Sequence, residues 1–292
     1  MDGSLESDAA SVLAQYPLRS PRVVELLEAS VRNDNFLVED GDGRRYILRR
    51  YRRNPDRARM VFQLRFQEEL HRLDFPTSGI IESTSADNLV ASAAGAWVLF
   101  SYVEGSEYDF ANMGQVAEAG RRLAQFHTLT AAIELDAPRL DINPDVRRWW
   151  THGEDDLAAL EAMFRDDAVG EEIAFLRRWR ASLLRDWPLA RLDALPKGWV
   201  HSDFHGRNMV FAGDELAGLF DFDPLHRGFW VEDLGHALFM FARERRGSTH
   251  IRPDAARLFL DSYGAVRPLS GEERAAIPYD GGARLGAHRR VS

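Results

Sequence analysis

His201-Ser202-Asp203-Phe204-His205-Gly206-Arg207-Asn208 is the stretch from which the fold of this chain is read. It has the form H-x-D-x-x-x-x-N. Trp199 and Val200 lead into it and tie its start to the core. Met209-Val210-Phe211, then Ala212-Gly213-Asp214-Glu215, then Leu216 to Asp221 follow as strand, turn and strand. A hairpin of that kind returns the chain beside its start, so Asn208 and Asp221 face one space, with Asp203 just before them.

That grouping suits phosphoryl transfer, which needs a carboxylate to orient the attacking hydroxyl and oxygen ligands to hold Mg²⁺ on the nucleotide phosphates. Asp203 takes the first role, Asn208 and Asp221 the second. His201 braces the loop by hydrogen bonding.

Upstream, Val23 to Leu27, Phe36 to Glu39 and Tyr46 to Tyr51 read as strands, the last two joined by the tight turn Asp40-Gly41-Asp42-Gly43. Residues 4 to 16 have the weak stripe of a short helix, and Asp56 to Leu73 shows a clear helical period. Ala86 to Val103 reads as two more strands around Ala94-Gly95. After Met113 the chain turns mostly helical: Gln115 to Ala132, Asp155 to Phe164, Glu171 to Leu184, Asp233 to Arg245 and Asp254 to Tyr263. The change of pattern at Val103-Glu104-Gly105 marks a hinge between a β-rich lobe, 1-103, and a helical lobe, 104-292. Ligand sites favour such junctions.

Composition sets the wider bounds. There are 292 residues, 45% of them hydrophobic and 28% charged, with a net charge of −9. No cysteine is present, which removes disulfides, thiolate metal sites and cysteine nucleophiles. The acidic balance argues against nucleic-acid binding and mildly favours a cationic small-molecule substrate. Asp2, Glu6 and Asp8 are unlike a signal peptide. Asn88 to Val103, broken by Gly95, is too short to span a bilayer as a helix. A soluble, cytoplasmic protein without a membrane partner is the expectation. Lys197 is the only lysine, so a cationic role elsewhere falls to arginine.

The loop from His201 to Asn208 and the later Asp221-Phe222-Asp223 together resemble the aminoglycoside phosphotransferase-like kinases, a group that includes homoserine and choline kinases. Leu123-Ala124-Gln125-Phe126-His127 and Glu232-Asp233-Leu234 are similar to two further segments of that family. The resemblance spans roughly Arg22 to Tyr263 in element order and is specific only from His201 to Asp233. It implies an α+β fold of the bilobal protein-kinase type, with ATP and Mg²⁺ and a small hydroxyl acceptor bound by the helical lobe. By the same resemblance the phosphate-holding strand cation falls at Arg49, and its acidic partner at Gln63, Glu68 or Glu69. The phosphate loop falls near Ser30 to Asn35, the base-reading hinge at Ser101 to Val103, and the support for the catalytic loop at an acidic residue of Glu232-Asp233-Leu234. The departures from the family pattern are arginine for lysine at 49, Gln63 at the place of the partner glutamate and the lack of a G-x-G-x-x-G; Asp223 in place of the glycine of a D-F-G segment is a change the small-molecule kinases often show.

Two other readings compete. His201, Asp203 and His205, completed by Asp221 and Asp223, make a metal-dependent hydrolase. A non-catalytic nucleotide-binding pseudokinase accounts for Arg49 and Gln63. Simpler roles are expected elsewhere: packing for His127, loop filling for His205, helix packing for Trp149, Trp150, Trp179 and Trp187, and a solvated helix start for Glu154-Asp155-Asp156.

Overall fold

The computed structural model describes residues 3–29, 33–52, 56–138, 146–164 and 167–277. Ser30 and the tail from Tyr279 lie outside these. In chain order come α1 (Gly3–Leu13), β1 (Arg22–Ala29), β2 (Asn33–Glu39), β3 (Arg45–Tyr51), α2 (Arg57–Arg72), β4 (Ile80–Ile81), β5 (Val90–Ser92) and β6 (Gly95–Ser101). Then follow α3 (Met113–Thr130), α4 (Val146–Met163), α5 (Asp167–Asp186), α6 (Leu189–Asp193), β7 (Lys197–Val200), β8 (Met209–Ala212), β9 (Glu215–Leu219), β10 (His226–Phe229), α7 (Trp230–Ala242), α8 (Pro253–Val266) and α9 (Gly271–Ala276).

The first part is an antiparallel sheet in the order β1-β2-β3-β6-β4, with β5 also on β6. β6 reads as an unbroken apolar run because both its faces are covered. Trp97 and Leu99 meet Val12 and Leu13 of α1, and Tyr16 just after it, on one side. Val98 and Phe100 meet Met60 and Leu64 of α2 on the other.

α2 has two buried faces. Phe62, Phe66 and Leu70, turned away from the sheet, join the core of the helical part with Phe126, Trp199 and Phe222. Arg59 reinforces the joint, donating to the Asp223 carbonyl at 2.9 Å and to that of Leu225. The helix therefore belongs to both parts and fixes the sheet over the segment carrying Asp223 and Leu225.

In the helical part α3 packs along α8 so closely that a Cβ on Gly120 would stand 2.4 Å from the Phe259 carbonyl oxygen. β8 and β9 form the expected hairpin, and β7 pairs with β10, a strand the sequence does not announce. The helix containing Glu154-Asp155-Asp156 starts earlier than expected, at Val146, so these acids lie in its middle. Glu154 pairs there with Arg177 at 2.7 Å. The tryptophans pack as expected: Trp149 meets Trp179 at 6.3 Å, and the Trp150 indole donates to the Trp187 carbonyl at 2.6 Å. No described helix is long and apolar enough to cross a membrane.

Candidate active site

The catalytic loop hangs from one buried carboxylate. Asp233, in the first turn of α7, accepts from His201 N–H at 2.6 Å and Ser202 N–H at 2.7 Å. Pointing two successive amides at one group puts Ser202 at φ 64, a left-handed value that only such over-determination maintains. Burial acts to raise the Asp233 pKa, but hydrogen bonds from His127 and the His201 amide outweigh it and leave it below the ordinary range.

His127 is more than packing. It is fully buried, with Nε2 3.3 Å from Asp233 and Nδ1 2.8 Å from the Tyr263 hydroxyl. Burial lowers its pKa, so the neutral ring donates to Asp233 through Nε2 and accepts from Tyr263 through Nδ1.

His201 is also fully buried, and burial lowers its pKa as well. Its Nδ1 accepts from Asp203 N–H at 3.2 Å and its Nε2 donates to the Phe220 carbonyl at 3.1 Å. Both ring nitrogens are spent on bracing, so His201 cannot ligate a metal. Among the described residues no group of three His, Cys, Asp or Glu side chains has a metal-holding arrangement. The hydrolase reading fails on this geometry.

Asp203 is gripped on both oxygens. The Asn208 amide donates to Oδ2 at 2.9 Å and His205 Nε2 lies 3.0 Å from Oδ1. Burial works against ionisation, yet His205 and Asn208 bring the Asp203 pKa down to about 2. His205 thus does more than fill the loop. Asn208 keeps the hairpin aligned by accepting at its backbone carbonyl from Phe220 N–H at 2.8 Å. Asp221, at φ 63, is turned by this arrangement toward the sheet.

Asn208 and Asp221 line one cleft of about 380 Å³ with Asn35, Arg49, Ser101 and Val103. Arg49 donates to Asp221 Oδ1 at 3.1 Å and approaches Asp223 at 3.6 Å. Burial acts against its charge, but Tyr51, Asp223 and Asp221 raise its pKa further.

The acid expected on α2 does not meet Arg49. Gln63 donates to the Asp223 carbonyl at 3.1 Å, Glu68 accepts from Asn88 and Glu69 pairs with Arg72. Arg49 takes its acids from the hairpin instead, and Asp223, the residue in place of glycine, is one of them. Asn33 also reaches Asp223, at 3.2 Å. Ser101 lines the cleft, but its N–H donates to the Gly79 carbonyl and its hydroxyl accepts from Gly79 N–H, both at 2.8 Å. Its amide is therefore unavailable to a base.

Oxygen atoms suited to a hard cation remain. Asn208 Oδ1 and Asp221 Oδ2 accept no hydrogen bond from the described residues. An amide oxygen and a carboxylate oxygen fit Mg²⁺, which keeps few protein ligands and fills its shell with phosphate and water.

Comparison with known proteins settles the family. The profile of the phosphotransferase enzyme family (APH) matches residues 23–269. The chain belongs to this family. A phosphotransferase-family relative named homoserine kinase, from Xanthobacter autotrophicus, is 30% identical over 93% of this chain and 80% of its own length. Another homoserine kinase, from Mesorhizobium japonicum, is 26% identical over 94% of this chain and 81% of its own. Two solved structures share the fold. An aminoglycoside phosphotransferase from Alicyclobacillus acidocaldarius has a TM-score of 0.66 at 20% identity, covering 92% of this chain and 80% of that one. A microcompartment-associated aminopropanol kinase has the same TM-score and identity, covering 93% and 84%. The bilobal protein-kinase-like α+β architecture is the fold of this family.

Proposed function

We propose that this phosphotransferase-family chain moves the γ-phosphoryl group of ATP to the hydroxyl of a small acceptor, with Asp203 orienting that hydroxyl. The supporting observation is the meeting of Asn208 and Asp221 at one cleft beneath the sheet, with Asp203 hydrogen-bonded to Asn208 on a loop suspended from Asp233.

Residues 1-103 form the nucleotide-binding lobe in this reading, and 104-292 the catalytic and acceptor-binding lobe. Arg49 holds the α/β-phosphates, a task for which a guanidinium fork replaces the usual ammonium. Asn35 borders the phosphates, as Ser30 does by its place in the sequence. The segment from Ser101 to Val103 borders the base, with Val103 taking the part that the committed Ser101 amide cannot. Asn208 and Asp221 hold Mg²⁺, which supplies charge neutralisation on the transferring phosphate.

A carboxylate with a pKa of about 2 cannot strip an alcohol of its proton beforehand. Asp203 therefore aligns the hydroxyl by accepting its hydrogen bond, and takes the proton late, as the new P–O bond forms. That timing suits a loose transition state, in which little charge builds on the nucleophile. His201 acts through the loop and makes no contact with substrate.

L-homoserine is the first acceptor to test, because the relatives described above, each spanning over nine-tenths of this chain, bear the name homoserine kinase. The proposed setting is the cytosol, with neither nucleic acid nor membrane as partner.

Asp203→Asn is expected to lower kcat by roughly 10²- to 10⁴-fold while leaving the KM for ATP near the wild-type value, measured by coupled ADP release. Wild type and Asp203→Asn equally inert across amino alcohols, amino sugars, sugars and homoserine would favour the pseudokinase instead.

A further inference from the structure

The catalytic loop leads away from Asp203 to a corner where two arginines lack an acid. Gly206 packs on Tyr108 so tightly that a Cβ would stand 2.5 Å from the Tyr108 Cβ. Tyr108 continues the contact to the end of α7. Its hydroxyl donates to the Phe241 carbonyl at 3.0 Å, and its ring meets those of Phe110 and Phe241 edge-on, each at 4.9 Å.

Arg243 and Arg252 converge on this corner. The Arg243 guanidinium lies 5.7 Å over the Phe110 ring. Arg252 is tied beside it through the backbone: its N–H donates to the Ala242 carbonyl at 2.8 Å, and Arg243 bridges Ile251. Burial pushes the Tyr108 phenol up to about 12, against the opposing pull of both guanidiniums.

Neither arginine has a carboxylate partner among the described residues, although the chain holds 46 acids against 37 bases. Arg243 Nε, Arg252 Nε and Arg252 Nη2 are buried without a hydrogen-bond partner. His236 Nδ1 is partnerless as well. His236, seven residues before Arg243 in the chain, lies near enough to Arg243 for that charge to lower its pKa alongside burial, and its ring is 6.4 Å from that of His205, the residue that grips Asp203. Partnerless nitrogens of His236 and the two arginines therefore stand on the side of the loop next to His205.

Buried donors left unpaired cost free energy, and more so when charged. A carboxylate matches a guanidinium fork in shape and charge. We propose that the acceptor is a small hydroxy acid or hydroxy amino acid whose carboxylate is held by Arg243 and Arg252 while its hydroxyl faces Asp203. This rests on the kinase reading above and narrows it. It also reverses the expectation from net charge: the protein is acidic as a whole, but this corner is cationic and rejects polycationic amino sugars.

The test compares L-homoserine with 3-aminopropan-1-ol, which differ only by the carboxylate, and L-serine with ethanolamine in the same way. Binding to the wild type is measured by calorimetry in the presence of a non-hydrolysable ATP analogue and Mg²⁺, and turnover separately by ADP release. The better-bound acid is expected to exceed its amine by roughly 10- to 100-fold in affinity. Arg243→Gln and Arg252→Gln should each weaken the acid by roughly tenfold or more and leave the amine and the KM for ATP unchanged.

Amines that bind as well as their acids, no binding of either acid, or folded arginine variants that retain full acid affinity overturn the proposal. The wild-type comparison stands even if a variant fails to fold. Acid-selective binding without any phosphoryl transfer would instead sink the kinase reading while leaving the anion site in place.

Discussion

At the scale of the residue, the site is a set of side chains each held by a named partner. Asp203 owes its low pKa to His205 and Asn208, against the cost of burial. Arg49 owes its position to Asp221 and Asp223. Because Arg49 also separates these two carboxylates, its removal should affect more than phosphate affinity. Arg49→Ala is expected to raise the KM for ATP by roughly 10- to 100-fold and to increase the Mg²⁺ concentration needed for half-maximal rate, as two like charges come to face each other without a counter-ion. Steady-state kinetics at varied ATP and Mg²⁺ check both effects. Asp203, Asn208 and Asp221 were legible in the sequence because their spacing along one short segment determines their proximity. His205 was harder to read: its place two residues after Asp203 fits loop filling equally well, and only the folded loop turns Nε2 onto Oδ1.

At the scale of the element, three helices do most to place the site. α2 has one buried face for the sheet and another for the helical core, so it transmits the position of the sheet to the hairpin carrying Asp221. α3 and α8 carry His127 and Tyr263, which support Asp233 from behind. Their close approach at Gly120 leaves no room for a methyl group. Gly120→Ala should force α3 and α8 apart and destabilise the protein by about 1–3 kcal/mol, the usual range for overpacking, despite the better helix propensity of alanine. Urea denaturation measures this, and a fall in kcat larger than any change in ATP KM is expected alongside, because the strain reaches Asp233 through His127. Periodicity revealed all three helices and nearly their ends. It did not reveal β10, whose short run His226 to Phe229 carries no alternation and forms only because β7 is there to pair with it.

At the scale of the whole molecule, the catalytic loop is built on neutral, buried histidines, and this makes stability depend on pH. Burial lowers the pKa values of His127 and His201 in the folded protein, whereas in the unfolded chain they titrate near 6.5. The unfolded state therefore binds more protons below that value, and stability falls as pH falls. Their joint contribution is complete only well above pH 6.5 and is lost progressively as pH falls through and below that value. Asp203 and Asp233, with lowered pKa values, lose their contributions only further down, as pH drops below the usual carboxylate range. Urea midpoints across this range, compared with those of His201→Asn, test the assignment. The sequence by itself determined the reaction class, the order of sheet and helices, and the grouping of Asp203, Asn208 and Asp221, since each depends on residues near one another along the chain or on a repeating pattern. Only the tertiary structure decided what depends on distant segments meeting. Arg49 takes its acids from the hairpin 172 residues later in the sequence rather than from α2, and His127 joins Asp233. Arg243 and Arg252 reach the Tyr108 corner without an acid, because burial and pairing are properties of the packed chain, which spacing along the sequence does not encode.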